Sequence, residues 1–117
     1  MRLLSRFLIS LTLAATPAVA WAHAILLDST PAANAKVVAQ PVEFTLRYNT
    51  RIDHKRSRLT LTLPDRSTKV LPIAEASPDD GLATSAALPP GAYSLRWQVL
   101  ATDGHITRGD VPFTVGN

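Results

Sequence analysis

The sequence contains no cysteine, and its only methionine is Met1. Because there is no thiol, disulfides, thiolate metal sites and cysteine redox relays are excluded, and a small domain must be held together by packing alone. Because no methionine follows position 1, the remainder of the chain also lacks a thioether. It therefore has no soft sulfur ligand for an ion such as Cu(I).

The sequence also lacks a hydrophobic run long enough to cross a bilayer. Its N-terminal apolar segment, residues 7–15, is well short of the ~20 residues that a spanning helix requires. Arg2 and Arg6 precede this segment, and Thr16-Pro17 separates it from a stretch of small residues. This order of regions predicts a secretory signal peptide over residues 1–22, and a retained membrane anchor is the less favoured alternative.

Cleavage at Ala20-Trp21-Ala22 would make His23 the first residue of the processed chain. An N-terminal histidine is a bidentate chelator, because its free amine and ring Nδ1 can close a six-membered ring on one metal ion. An internal histidine cannot do this, since its backbone nitrogen is part of an amide. Ala18-Val19-Ala20 is a second acceptable cleavage site. A cut there would leave Trp21-Ala22-His23 at the amino terminus, with a different, local site for copper or nickel.

Residues 23–117 are enough for one small domain and too few for two. The presequence carries two arginines and no acidic residue, so its removal lowers the formal net charge from +3 to +1. The one dense basic run that remains is residues 54–58, His-Lys-Arg-Ser-Arg. Nucleic-acid binding therefore has little electrostatic support. Arg56 and Arg58 are expected on a solvated strand face, with a docking patch for an acidic partner as the alternative.

Apolar and polar residues alternate in short segments that Pro, Gly and Asp separate. In residues 42–48 the apolar side chains take every second position, which predicts a half-buried strand. The same pattern recurs at 58–63, 93–99 and 111–115, with shorter candidates at 24–27, 69–73 and 82–87. About seven antiparallel strands and no amphipathic helix predict an all-β fold, an immunoglobulin-like Greek-key sandwich of two sheets. Tyr93 and Trp97 are expected in its core.

The segment Asp103-Gly104-His105 falls in the connection between the last two strong strands. Residues two apart in an extended chain project to the same side, so Asp103 and His105 are expected to converge, while Gly104 lets the backbone bend. Alone the motif is weak, because Asp-Gly is also a common hairpin turn. Combined with an N-terminal His23, it provides one amine, two imidazoles and one carboxylate. Nitrogen and oxygen ligands without sulfur suit tetragonal Cu(II).

Several segments form an ordered set that spans essentially all of residues 23–117. They are His23-Ala24, Leu27-Asp28-Ser29-Thr30-Pro31-Ala32, Glu43-Phe44-Thr45-Leu46-Arg47-Tyr48, Leu88-Pro89-Pro90-Gly91-Ala92-Tyr93-Ser94-Leu95-Arg96-Trp97, and Ala101-Thr102-Asp103-Gly104-His105, followed by Gly109 and Phe113-Thr114-Val115. The most specific of them is the segment that ends in Asp-Gly-His. In this order the set resembles the CopC family of periplasmic copper-resistance proteins.

This resemblance implies a cupredoxin-like or immunoglobulin-like β-sandwich that binds copper in the periplasm. The family's Cu(II) site corresponds to the His23 amine and ring, Asp103 and His105. Some members carry a further glutamate ligand, where this sequence has Thr50. Others have a Met-rich loop that forms a Cu(I) site, which this chain cannot form. The resemblance therefore implies a Cu(II)-only member.

The expected function is the binding of Cu(II) for copper homeostasis or resistance, as a chaperone or buffer and not as an enzyme. An inner-membrane copper-transport protein is the expected partner besides the copper ion. Two alternatives stay open: a histidine-brace copper oxidase, which also uses an N-terminal histidine, and a metal-free periplasmic binding module. His54 is expected to be exposed and solvated, with a weak accessory contact to the site near Thr50 as the alternative.

Overall fold

The computed structural model describes residues 23–117, which form two β-sheets around one shared core. The expected signal peptide and both candidate cleavage sites lie outside the described residues. Within residues 23–117 no helix is present, so none there is long and apolar enough to cross a membrane. The strands are β1 (Leu26–Thr30), β2 (Ala35–Val37), β3 (Val42–Tyr48), β4 (Ile52–Thr62), β5 (Thr68–Leu71), β6 (Gly81–Ala86), β7 (Gly91–Ala101) and β8 (Ile106–Val115).

The smaller sheet has the strand order β1-β3-β6, and the larger has the order β2-β8-β7-β4-β5. The predicted all-β, two-sheet fold is confirmed. Strand β2 was not predicted, because three residues are too few to show an alternating pattern. It runs parallel to β8, whereas the other pairs of strands in residues 23–117 are antiparallel.

The core lies between the sheets and is built from the alternating residues of the long strands. In β3 the four apolar residues at positions 42, 44, 46 and 48 are each at most 1% exposed, and the residues between them are exposed. Burying an apolar side chain of this kind contributes about 1.5–3 kcal/mol. Tyr93 and Trp97 are also buried, as predicted. The Trp97 ring meets Tyr48 edge to face across the core, with ring centroids 5.3 Å apart.

Strand β4 carries a wide bulge near its start. Residues 53–58 of β4 lie opposite only residues 98–100 of β7, so part of β4 leaves the ladder. The carboxylate of Asp53 holds the bulge by accepting the backbone N–H of Lys55 (3.1 Å) and that of Arg56 (3.2 Å). The Ser57 hydroxyl donates to the Asp53 carbonyl (2.6 Å). The displaced backbone is therefore hydrogen-bonded within its own segment.

Strands β7 and β8 form a long hairpin that stays in register from the pair Gly91–Val115 to the pair Leu100–Ile106. A side chain at Gly109 would run into the Trp97 indole, since a Cβ there would lie 2.6 Å from Trp97 Cε2. The close approach allows the indole to cover β8. The hairpin thus presents the loop of residues 102–105 at one end of the sandwich.

Candidate metal centre

The loop that joins β7 to β8 carries two of the three side chains predicted to bind metal. The Ala101 N–H donates to the carbonyl of His105 (2.9 Å), and the Gly104 N–H donates to the carbonyl of Ala101 (2.9 Å). Gly104 has a φ of +92°, in the region that only glycine adopts without strain. The glycine between Asp103 and His105 is therefore required by the backbone of the loop, in agreement with the sequence analysis.

The chain before β1 is fastened beside this loop at two consecutive residues. Ala24 is 3% exposed, and its carbonyl accepts a hydrogen bond from the Thr107 hydroxyl (3.0 Å). Ile25 is held by Asn49 through two hydrogen bonds. The Ile25 N–H donates to the Asn49 side-chain oxygen (2.7 Å), and the Asn49 N–H donates to the Ile25 carbonyl (3.1 Å). These contacts bring His23 to the start of β8.

The two predicted histidine ligands lie side by side. The rings of His23 and His105 meet edge to face, with centroids 5.1 Å apart and planes inclined by 72°. Both residues are exposed, so an ion from solution reaches them without any rearrangement of the core. The structure therefore brings together the first described residue and a residue near the end of the chain.

Asp103 contacts its own loop. Its Oδ1 accepts the backbone N–H of His105 (3.1 Å) and lies 3.4 Å from His105 Nδ1. The backbone hydrogen bond lowers the pKa of Asp103 below its usual range, and the nearby His105 ring adds to the effect. The carboxylate is therefore ionised well below neutral pH. Because Nδ1 of His105 faces Asp103, Nε2 is the ring nitrogen of His105 that takes no part in this contact.

The convergence of Asp103 and His105 has a different cause from the one expected. An extended segment would project both side chains to the same side, whereas residues 102–104 form a turn. The two residues meet because the Asp103 carboxylate caps the His105 N–H across that turn. In the part of the chain that the structure describes, no three His, Asp or Glu side chains are arranged to hold a metal ion by themselves. A centre at the two rings needs donors in addition to them.

Thr50 and His54 were the two residues whose participation the sequence left open. Thr50 follows Asn49, is half-buried and has no carboxylate to offer. His54 is not the solvated residue expected: its Nε2 lies 2.9 Å from the carbonyl oxygens of both Pro78 and Gly81. Since carbonyls only accept hydrogen bonds, that nitrogen carries a proton and is not free to bind a metal. His54 ties β4 to the turn before β6.

Asn49 and Thr107 position the N-terminal segment, and sequence reasoning missed both. Asn49 and Ile25 are separated by 24 positions in the chain, and Thr107 and Ala24 by 83. Neither residue belongs to a motif, and Asn49 is simply the residue that follows β3. Their role follows from the order of the strands in space, which no local pattern contains.

Comparison with known proteins gives one family. The model of the CopC domain matches residues 26–116. Protein YobA of Escherichia coli K12 is 36% identical over 104 residues, which cover 86% of this chain and 83% of that protein. The Shigella flexneri protein of the same name matches to the same extent.

Two solved structures have the same fold. The crystal structure of CopC from Methylosinus trichosporium OB3b has a TM-score of 0.69 and 29% identity, and the match covers 80% of this chain and 93% of that chain. PcoC, a methionine-rich copper resistance protein from Escherichia coli, has a TM-score of 0.67 and 27% identity. That match covers 81% of this chain and 100% of PcoC.

Proposed function

The chain belongs to the CopC family, and from this premise we propose that it binds Cu(II) in the periplasm, for copper homeostasis or resistance. The proposed ligands are the amine and ring of His23, the Asp103 carboxylate and the His105 ring. The protein would carry or buffer the ion, and an inner-membrane copper-transport protein would receive or supply it. Copper is thus the cargo of this protein.

One observation carries the proposal: the rings of His23 and His105 lie 5.1 Å apart, beside an aspartate. Two imidazoles and a carboxylate, with no sulfur nearby, suit Cu(II) better than the other divalent first-row metals. The side chain of Asp103 is 39% exposed and that of His105 is 53% exposed, so both can turn toward an ion without disturbing the core. The remaining donor is the α-amine.

That amine exists only if the precursor is cut after Ala22. In the precursor the His23 nitrogen is an amide, which is a poor ligand at neutral pH, so high affinity appears only on maturation. The Asn49 and Thr107 contacts hold Ala24 and Ile25, and they fix the position of the new amino terminus beside the loop. Removal of the first 22 residues would then create the last ligand, which is the α-amine of His23.

The test compares two forms of the protein by calorimetric Cu(II) titration at neutral pH. In the first the amino terminus at His23 is free, and in the second the same amine is acetylated. The first is expected to bind one Cu(II), and the second to bind at least tenfold more weakly because amine chelation is lost. A His105→Ala variant should be weakened as well, whereas His54→Ala is the control and should keep its affinity.

Equal affinity in the two forms would refute the role of the amine. Electron paramagnetic resonance of the Cu(II) form reports whether the equatorial ligands are nitrogen and oxygen. A reductant-dependent oxidase assay on the same sample distinguishes a carrier from a copper oxidase, since a carrier shows no turnover. The intact mass of the protein purified from periplasm gives the cleavage site and the metal stoichiometry together.

A further inference from the structure

A cleft on the larger sheet lies among residues that the proposed copper site does not use. It has a volume of about 540 Å³, within the range of roughly 300–1,000 Å³ that small-molecule sites occupy. Three segments surround it: the bulge of β4, the strand β5 and the chain that follows β5. The residues that matter here are Lys55, Arg58, Val70, Leu71, Ile73 and Glu75.

The β4 bulge forms one wall of this cleft, and several contacts hold it. Besides the Asp53 contacts, the Ser57 hydroxyl accepts the Leu100 N–H (3.2 Å) and joins the bulge to β7. His54 lines the cleft and fastens the start of the bulge to the carbonyls of Pro78 and Gly81. Bulges often redirect side chains beside binding sites. Hydrogen bonds hold the bulge at both ends, so the wall that it forms in the cleft has a defined position.

The charged residues of the cleft favour a ligand that carries a single negative charge. Among residues 23–117, Arg51, Arg56 and Arg96 each lie within 4.0 Å of a carboxylate, whereas neither Lys55 nor Arg58 does. These two cations therefore keep their charge available at the cleft. Glu75 on the facing segment brings the net charge of the lining to +1. A monoanion matches that balance, while a polyanion would meet repulsion from Glu75.

The other side of the cleft is apolar. Val70 is 58% exposed although it lies in a strand, and Ile73 is half-buried, whereas Leu71 between them points into the core. An exposed valine beside a depression gains from any apolar group that covers it. The cleft thus combines a cationic edge with an aliphatic floor, the arrangement that recognises an amphipathic acid.

We propose that this cleft binds a small monocarboxylate with an aliphatic body. Its carboxylate lies at Lys55 and Arg58, and its hydrocarbon lies against Val70 and Ile73. The site is independent of the proposed copper centre, because it contains none of His23, Asp103 and His105. Its occupancy therefore needs no metal.

The test is a titration of the purified protein with octanoate, followed by the backbone amide shifts in ¹H–¹⁵N NMR spectra. Saturable shifts are expected in residues 54–58 and 70–75. Octanol, which has the hydrocarbon but no charge, should bind roughly fivefold more weakly, since two exposed ion pairs contribute about 1 kcal/mol together. Inorganic phosphate, which lacks the hydrocarbon, should produce no saturable shifts there.

Matched variants separate the two halves of the site. Lys55→Gln with Arg58→Gln should weaken octanoate roughly fivefold, while Arg47→Gln, an exposed cation on the other sheet, should not. Val70→Ser should weaken it as well, while Val38→Ser should not, although Val38 is 63% exposed and so resembles Val70. Cu(II) titrations of all four variants should be unchanged.

Several results would overturn the proposal. Shifts that do not saturate, or that scatter over the surface, would show that octanoate has no site. Equal binding of octanol and octanoate would remove the role of the cations, and equal losses in the variants and their controls would remove the assignment to this cleft. Tight binding of phosphate that Val70→Ser leaves unchanged would contradict the aliphatic floor.

Discussion

At the scale of single residues, the hydroxyl of Tyr48 is the polar group in the described core that has no partner. It is the one buried side-chain nitrogen or oxygen atom within residues 23–117 that lacks a hydrogen bond. Burial raises the pKa of Tyr48 above its ordinary value. Its ring packs on Trp97, so the residue contributes through its ring, and the unpaired hydroxyl opposes folding.

Tyr48→Phe is expected to raise the free energy of unfolding at pH 7 by about 1 kcal/mol, because it removes an unpaired polar group and keeps the ring. The raised pKa has no effect on stability while the phenol is neutral in both states, but it lowers stability once the phenol ionises in the unfolded chain. Wild-type stability should therefore fall from about pH 10 upward, and the variant should lose less. Urea unfolding at pH 7 and pH 10.5 measures both effects.

Tyr93→Phe is the matched control. The Tyr93 hydroxyl donates to the Pro89 carbonyl (2.6 Å), so its removal should lower stability at pH 7. Burial also raises the pKa of Tyr93, so the Tyr48→Phe variant should still lose some stability at alkaline pH. If Tyr48→Phe were less stable than wild type at pH 7, the hydroxyl would have a partner after all.

At the scale of elements, two residues with amide side chains each hold a neighbouring backbone segment through a pair of hydrogen bonds. Asn49, just after β3, holds Ile25 just before β1. Gln40, before β3, holds Leu88 before β7 by donating to its carbonyl (2.9 Å) and accepting its N–H (3.0 Å). Asn49 holds Ile25 with one side-chain and one backbone hydrogen bond, Gln40 holds Leu88 with two side-chain hydrogen bonds, and only Asn49 adjoins the proposed copper site. Comparing variants of Asn49 and Gln40 therefore separates an effect on the position of the amino terminus from an effect on overall stability.

Asn49→Ala should lower Cu(II) affinity about fivefold, because losing one hydrogen bond to Ile25, worth about 1 kcal/mol, frees the amino terminus. Gln40→Ala removes two side-chain hydrogen bonds, so it should cost at least as much stability, yet it should leave Cu(II) affinity unchanged. Asn49→Asp keeps the accepting oxygen and should restore the wild-type paramagnetic resonance spectrum that Asn49→Ala broadens. Equal Cu(II) affinities in Asn49→Ala and Gln40→Ala would contradict a positioning role for Asn49.

At the scale of the whole molecule, the proposed centre joins the beginning of the processed chain to the loop before its last strand. Binding there would restrain the segment before β1 and the β7–β8 loop at once. The ligands do not stand together in the unfolded chain, so the binding free energy is added to the stability of the fold. Copper and thermal stability are therefore expected to be linked.

Cu(II) at 100 times its dissociation constant should stabilise the processed protein by about 2.7 kcal/mol, which corresponds to roughly 10–20 °C in Tm. At a fixed Cu(II) concentration the gain should shrink from pH 8 to pH 5, because the imidazole and amine nitrogens must lose protons to bind. Protonation of Asp103 should not limit the gain in stability, since its lowered pKa keeps the carboxylate ionised from pH 8 to pH 5. Scanning calorimetry with and without Cu(II) measures the gain.

His105→Ala should abolish most of this gain in Tm. His54→Ala should lower the Tm of the metal-free protein, because Nε2 no longer bridges to Pro78 and Gly81, yet it should keep the gain from copper. A gain that survives in His105→Ala would place the ion elsewhere.

The sequence by itself determined the fold class and the core. Alternation of apolar and polar residues is a local property, because successive side chains of a strand point to opposite faces, so 42–48 and 93–99 were assigned correctly. The absence of sulfur after Met1 and the Asp103-Gly104-His105 segment can likewise be read directly from the sequence. The role of Gly104 followed from the freedom of its backbone, which needs no distant partner.

Only the tertiary structure decided which distant groups meet. It paired β2 with β8, placed the His23 ring beside His105, and satisfied His54 with two carbonyls. It also opened the cleft beside the β4 bulge. These contacts depend on the order of strands within each sheet and on how the sheets face each other. Because the partners lie far apart along the chain, no periodicity within a short segment can encode them.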